Sequence, residues 1–362
     1  MGKGQCYMKI IVWGTGYWAN EYVIRKSYHL YDDILAFTDN NSDLWGKQFQ
    51  NLEIIPPDEL KQLEFDRLVV CSTHYQEIKR QIEEELQIDC TKIVTYFELE
   101  NSIKKELILK YSAWQDAELL KVLRYYETYS LNVYGYYDGM GRKHIDQVQY
   151  DIDGMPYIFF EGKRMYFPRG HRFHWMYGSA YVRDILFEQG SHSPHLYMKS
   201  DDIIQKNMVI VDAGVCEGNF ALRYVEEAGK IYLIESDPKW IEALERTFQP
   251  YKSKVVICNK YLSNEDTENT VTLDTLIKEP VDILKMDIEG YEVSALEGSA
   301  KILRESRAYC AICSYHRHYD EQKIKYLLQQ YGYQTETSEG YMFFVYDAYR
   351  EFRKGVVYGI KS

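Results

Sequence analysis

The chain has 362 residues, 46% of them hydrophobic and 27% charged, which is enough apolar material for two globular cores. Its net charge of −12 repels phosphate backbones and makes nucleic acid a poor default partner. No apolar run reaches the ~20 residues of a membrane span, and residues 1–9 lack the apolar core of a signal peptide, so the sequence predicts a cytoplasmic protein with no membrane span.

The first block alternates strands with helices, which predicts a parallel sheet. Residues 9–13, 34–39 and 68–72 form its strands, and a helix runs through 77–86. The first strand leads into Gly14-Thr15-Gly16-Tyr17-Trp18-Ala19, a GxGxxA loop, and Asp39 follows Ala19 by 20 residues. A glycine loop between strand and helix, with a later acid for a ribose, predicts a nucleotide site on Gly14, Gly16, Ala19 and Asp39. Its ligand would be a nucleotide, a nucleotide sugar or NAD(P). The block resembles small Rossmann-like domains fused to sugar-modifying enzymes. An equal reading is a Rossmann shell that only positions the rest of the chain.

Residues 104–127 are expected to be helical, followed by a Tyr- and Gly-rich connector around 134–141. Two aromatic runs at 156–160 and 163–167 flank a Glu-Gly-Lys turn and predict a β-hairpin. The basic cluster Arg164, Arg169, His171, Arg172 and His174 is a candidate clamp for an anionic acceptor, or else a solvated face. A helix is expected near 179–188. The stretch from Glu188 to Tyr197, with Ser193-Pro194-His195, reads either as part of a lid over the site or as an ordinary loop.

From residue 209 the alternation becomes regular, with strands at 209–215, 230–236, 254–261, 282–288, 309–316 and 341–346. Cys310 and Cys313 have CxxC spacing, but three residues apart on a strand they point to opposite faces, which argues against a shared metal. The other cysteines of the seven are scattered, as in reduced proteins. Of 35 tyrosines, most are read as amphipathic surface and some as planes for sugar stacking.

The chemistry concentrates in Asp212-Ala213-Gly214-Val215-Cys216-Glu217-Gly218. Here the glycines suggest close backbone approach to a ligand. Asp212 argues against a pyrophosphate and for a ligand with an amino group, such as S-adenosylmethionine (SAM). Glu235 ends the next strand where an acid can take a ribose diol. Asp237-Pro238 reads as a helix N-cap and first-turn proline. The fourth strand runs into Met286-Asp287-Ile288-Glu289-Gly290-Tyr291-Glu292, with acids at the strand end where open α/β sheets bind ligands.

That fourth-strand segment, with Ala295-Leu296-Glu297-Gly298, Leu273-Asp274-Thr275-Leu276, Glu235 and the Asp212–Gly218 loop, resembles the FkbM-type SAM-dependent methyltransferases over residues 209–347. The resemblance implies an α/β class I methyltransferase fold, a Rossmann-like seven-stranded mostly parallel sheet with one reversed strand at the edge. It also implies O-methylation of sugars or natural products. Cys216 departs from the family, which often has Asn there.

The expected organisation is a Rossmann-like domain over 1–100, a helical and hairpin connector over 101–200, and a methyltransferase domain over 201–350. Asp212, Gly214, Glu217 and Gly218 should hold the methionyl end of SAM. Glu235 should bind the ribose, and Ser263 should lie near the adenine. Asp287 should anchor the amino group, act as base or join Glu289 in an Mg²⁺ site, a metal kept as an option because two carboxylates supply hard oxygen donors. His316 closes the fifth strand and is the candidate general base, with His318 the weaker one. Arg164, Arg169, Arg172 and His195 are the candidate acceptor contacts. The leading reading is a SAM-dependent O-methyltransferase acting on a sugar hydroxyl of a nucleotide-linked or surface-polysaccharide precursor. The alternatives are an NAD(P)-dependent oxidoreductase or epimerase built on the first glycine loop, and a non-catalytic module that binds SAM or a nucleotide.

Overall fold

The structure, a computed structural model, describes residues 8–24, 28, 33–140, 148–171, 173, 187–344 and 349–361. The chain divides into two compact units: Met1–Leu131 with Val345–Glu351, and Asn132–Phe344 with Phe352–Ser362. Among the described residues no helix is long and apolar enough to cross a membrane.

The first unit contains β1 (Lys9–Trp13), α1 (Tyr17–Ile24), β2 (Asp33–Thr38), β3 (Gln48–Phe49), β4 (Leu52–Ile55), β5 (Arg67–Val70), α2 (Tyr75–Glu84), β6 (Ile93–Thr95), α3 (Tyr96–Tyr111) and α4 (Ala117–Thr128). Its six-stranded sheet runs β3-β4-β2-β1-β5-β6, with β3 antiparallel to β4 and the other pairs parallel. The β3–β4 hairpin was not anticipated. Gln50 and Asn51 both adopt positive φ there, as a tight two-residue hairpin turn requires. The helix expected over 104–127 is two helices. Thr95 and Glu98 form a capping box that starts α3, while the Asp116 carboxylate accepts from the amides of Glu118 and Leu119 and starts α4.

The second unit opens with the predicted hairpin, extended by one short strand: β7 (Gln149–Tyr150), β8 (Pro156–Phe160) and β9 (Lys163–Tyr166). Glu161 and Gly162, both at positive φ, make its turn. This hairpin packs on the rest of the unit through the amide of Tyr166, which donates to Thr247 Oγ1 at 2.9 Å. The helix expected near 179–188 lies largely outside the described residues.

Then follow β10 (Met208–Ala213), α5 (Asn219–Arg223), β11 (Ala228–Ile234), α6 (Pro238–Phe248), β12 (Val255–Cys258), α7 (Leu273–Leu276), β13 (Ile283–Met286), α8 (Glu292–Glu297), α9 (Ala300–Glu305), β14 (Tyr309–Cys313), α10 (Asp320–Gln330), β15 (Gln334–Thr337) and β16 (Val356–Ile360). The seven-stranded sheet runs β12-β11-β10-β13-β14-β16-β15. All neighbours are parallel except β16, which is antiparallel to both β14 and β15. The reversed strand therefore lies one position in from the edge, not at it. It comes from residues 356–360, beyond the expected end of the domain, while 342–344 form a strand outside this sheet.

Core packing follows from composition. β13 and β14 are buried along their whole length, because helices cover both faces of a parallel sheet. Val211, Leu284, Met286, Leu296 and Ile312 join one apolar cluster, each such side chain worth roughly 1.5–3 kcal/mol when fully buried. The exception within β13 is Lys285, a buried cation whose presence demands a partner.

Candidate active site

That partner is Asp212. The two are in register on neighbouring strands, and Lys285 Nζ lies 2.9 Å from Asp212 Oδ1. The ammonium also donates to the carbonyls of Gly214 at 2.5 Å and Ala213 at 3.3 Å. Burial disfavours the Lys285 charge, but Asp212 and Asp287 outweigh it and keep the amine protonated. Asp212, fully buried, thus shapes the glycine loop through Lys285 instead of facing open space.

The two loop glycines also have protein reasons. Gly214 sits at φ +73, where a Cβ would fall 1.6 Å from the carbonyl oxygen of Asp287. Gly218 sits at φ +80, against Phe248 at 2.9 Å. Their lack of a side chain brings the loop onto β13 and α6. The close approach that the sequence assigned to a ligand is made by the protein's own backbone and rings.

Glu235, buried at the end of β11, accepts from the amide of Cys216 at 2.9 Å and of Asp237 at 2.8 Å, one on each carboxylate oxygen. Each oxygen keeps a further lone pair for a ribose hydroxyl. Asp237 is the N-cap of α6, as expected. Glu217 is buried, and desolvation, followed by the Glu188 charge, pushes its carboxyl up to about 8. Ser263, the expected neighbour of the adenine, lies beyond the strand end. β12 ends at Cys258, and the residue that follows the strand is Asn259, which donates to the carbonyl of Glu235 at 2.7 Å. Ser263 instead faces Ser294 on α8, hydroxyl to hydroxyl at 3.4 Å.

Asp287 is the centre of the site. Tyr197 donates its hydroxyl to Oδ2 at 2.7 Å and Tyr315 to Oδ1 at 3.2 Å. His195 Nε2 lies 3.4 Å from Oδ2, and His316 Nε2 lies 3.4 Å from Oδ1. Burial alone would raise this carboxyl, but His195, His316 and Lys285 hold it well below the usual carboxylate range. Each histidine is backed by a glutamate: His195 Nδ1 is 3.5 Å from Glu188, and His316 Nδ1 is 2.9 Å from Glu292. Burial lowers both imidazoles. The Glu188 charge and Asp287 override it and raise His195 to about 10, and Glu292 with Asp287 likewise raises His316. Glu292, wholly buried, also accepts the amide of Ile288 at 2.9 Å and so braces the loop after β13. In that loop Glu289 and Gly290 sit at φ +55 and +91.

The structure therefore joins Asp287, His316 and His195, with the Asp212–Gly218 loop and Glu235 around the same strand ends. It does not bring Arg164 or Arg169 there. Arg169 forms a two-pronged pair with Glu242 on α6 and donates to the carbonyl of Asp153. Arg164 stacks on Tyr157 at 4.9 Å. Arg172 and His174 lie outside the described residues. The expected Asp287–Glu289 oxygen pair is interrupted by His316, whose Nε2 lies 3.4 Å from one and 3.5 Å from the other. The groups that converge on Asp287 are His195 with Cys313, and His316 with Glu292. Asp287 and Glu292 offer oxygen, but the histidine and cysteine donors set among them fit Mg²⁺ poorly. Sequence reasoning gave no role to Lys285, Glu292 or Tyr315, and it read Glu188 and Tyr197 only as the ends of a lid or an ordinary loop. Two signals were available: a lysine inside an apolar strand, and tyrosines one or two positions from the histidines.

In the first unit, Gly14 sits at φ +113 with a would-be Cβ 2.7 Å from the Cys71 carbonyl, and Ala19 is buried. Asp39 accepts from the amide and hydroxyl of Thr15 at 3.1 and 2.9 Å.

Residues 248–335 match the model of the methyltransferase FkbM domain, and residues 6–94 that of the C2185-like N-terminal domain. No curated protein matches the chain. Among solved structures, the FkbM methyltransferase from Methylobacillus flagellatus KT aligns over 97% of this chain and 90% of its own at 16% identity, with a TM-score of 0.47. TYW2 from M. jannaschii in complex with AdoMet aligns over 59% and 87% at 14% identity, TM-score 0.33. SMU.1697c from Streptococcus mutans, in complex with SAH, aligns over 44% and 94% at 14% identity, TM-score 0.31. The chain carries an FkbM-type domain within a class I sheet and is a SAM-dependent methyltransferase.

Proposed function

We propose that this methyltransferase transfers the methyl group to a hydroxyl of a carbohydrate, of the kind found in nucleotide-linked or surface-polysaccharide precursors. The observation that carries the reading is the buried imidazole of His316, held between Glu292 and Asp287 at the carboxyl end of the sheet. A hydroxyl acceptor must lose its proton as the new C–O bond forms, and a positioned imidazole is suited to take it. The rim supports a sugar ring: Tyr291 and Tyr319 are half exposed or more, with Arg317 stacked on Tyr291 at 5.4 Å.

The residues fit SAM by charge. Asp287, Glu188, Glu235, Glu289 and Glu292 outnumber Lys285, His195 and His316 around the strand ends, and the raised Glu217 carboxyl would ionise more readily beside a cation, which suits a cofactor carrying an ammonium and a sulfonium. Glu235 would hold the ribose hydroxyls, and Glu217 with Asp287 the amino end. SAM supplies an activated methyl group and departs as a neutral thioether. This chain aligns the acceptor and takes its proton at His316 Nε2. Added positive charge in the site lowers the His316 pKa, so cofactor binding prepares the base. The closing test is labelled SAM with a panel of nucleotide sugars and oligosaccharides, with mass spectrometry to locate the methyl group. Transfer to amines alone, with no hydroxyl labelled, would defeat the proposal.

A further inference from the structure

The first unit holds a cleft of about 480 Å³ at the carboxyl ends of β1, β2 and β5. It lies where the sheet order reverses around β1, the place where open α/β sheets take ligands. One wall is Gly14 to Trp18, and the other is Ser72, Thr73, His74 and α2. Trp18 is fixed by Tyr17, Tyr96 and Phe97, with ring centroids 4.9–5.1 Å apart, and Tyr17 remains 40% exposed. Across the rim Asn40 and Gln81 exchange two amide hydrogen bonds of 2.9 and 3.2 Å.

Gly16 is the informative residue. Gly14 is glycine because of φ and crowding, but Gly16 has neither reason. Its φ lies outside the left-handed region, and a Cβ there would meet nothing within 4 Å. Its carbonyl accepts the amide of Asn20, so it stands at the start of α1, where Ser or Asp would cap at least as well. Folding does not require glycine at this position, whereas a ligand lying on the backbone does.

We propose that this cleft binds a ring bearing a vicinal diol, as in a nucleoside or a hexose, with no anionic group held inside. Asp39 has three donors on it: the amide and hydroxyl of Thr15 on Oδ2, and the amide of Asn41 on Oδ1. A carboxylate offers about four acceptor sites, so Oδ1 keeps one. One hydroxyl of the diol donates there, and its neighbour donates to the Thr15 hydroxyl oxygen. The exposed Tyr17 ring offers the stacking face. The charges facing the cleft are Asp39 and Glu77, with His74 3.1 Å from Glu77, and among the described lining residues there is no Lys or Arg. That balance disfavours phosphate.

The test is calorimetric titration of the full chain with uridine, adenosine, glucose, UDP-glucose and NAD⁺. Uridine, adenosine or glucose should bind, and the three arms tell nucleoside from hexose. Gly16→Val should weaken that binding by roughly tenfold or more. Its unfolding temperature and SAM affinity should match the wild type, because a Cβ at this position has no protein atom within 4 Å. Three results would overturn the proposal: none of the five compounds binds, Gly16→Val binds as well as wild type, or UDP-glucose or NAD⁺ binds over tenfold more tightly than its nucleoside.

Discussion

Asp212→Asn tests whether the acid of the glycine loop holds the loop or the cofactor. The substitution keeps shape and removes the charge opposite Lys285, which is 4% exposed and 2.9 Å away. Removing one partner of a buried pair costs about 3–5 kcal/mol, because the other charge is left uncompensated. Lys285 keeps the carbonyls of Gly214 and Ala213, so the low end applies, about 3 kcal/mol. For a domain of this size that lowers the unfolding temperature by roughly 6–12 °C. The double variant Asp212→Leu with Lys285→Met should recover most of this loss, since apolar replacement of a whole buried pair is often neutral. It should not recover SAM affinity, because the ammonium no longer ties down the loop carbonyls. Thermal unfolding and calorimetric SAM titration read the two effects separately. An unfolding temperature unchanged in Asp212→Asn, with SAM affinity lost, would refute the reasoning and give Asp212 a direct cofactor contact.

His316 must be unprotonated to act as base, and its pKa is raised, so kcat/KM should climb with pH through a range above that of an ordinary imidazole. His316→Asn should lose that limb along with most turnover, and a pH–rate profile that keeps the limb would remove His316 from the role. Glu217, at about 8, binds a proton in the folded state that the unfolded chain has already released above 4.5, so it erodes stability as pH rises between those values. Glu217→Gln should therefore unfold at a higher temperature than wild type at pH 8.5 and lose that advantage at pH 4.5, which thermal scans in the two buffers will read. Arg169→Ala removes an exposed pair worth about 0–1 kcal/mol and should leave turnover unchanged; a large rise in acceptor KM would restore it to the acceptor site.

The sequence made the strand ends legible because the chemistry there is local. Asp287, Glu289 and Glu292 stand in one segment, and periodicity alone puts Asp287 at the end of a buried strand. The glycines of the second loop were read from the same local pattern, but their reason is tertiary: Gly214 yields to the backbone at Asp287, and Gly218 to Phe248 on α6. The reversed strand was misplaced on similar grounds. Residues 342–344 are as apolar as 356–360, and only pairing with Cys310 through Cys313 selects the second stretch.

Charge pairs were the least legible feature, since a sequence shows charges without their partners. Arg169 looked available until the structure gave it Glu242, and His195, read as an acceptor contact, showed its carboxylate partner only when the structure set it beside Asp287. One rule would have found more of the site: a charged residue inside a strand that must be buried implies an opposite charge on the neighbouring strand. Applied to Lys285, that rule selects Asp212 from the parallel register, and with it the residue that ties the glycine loop to the strand carrying Asp287.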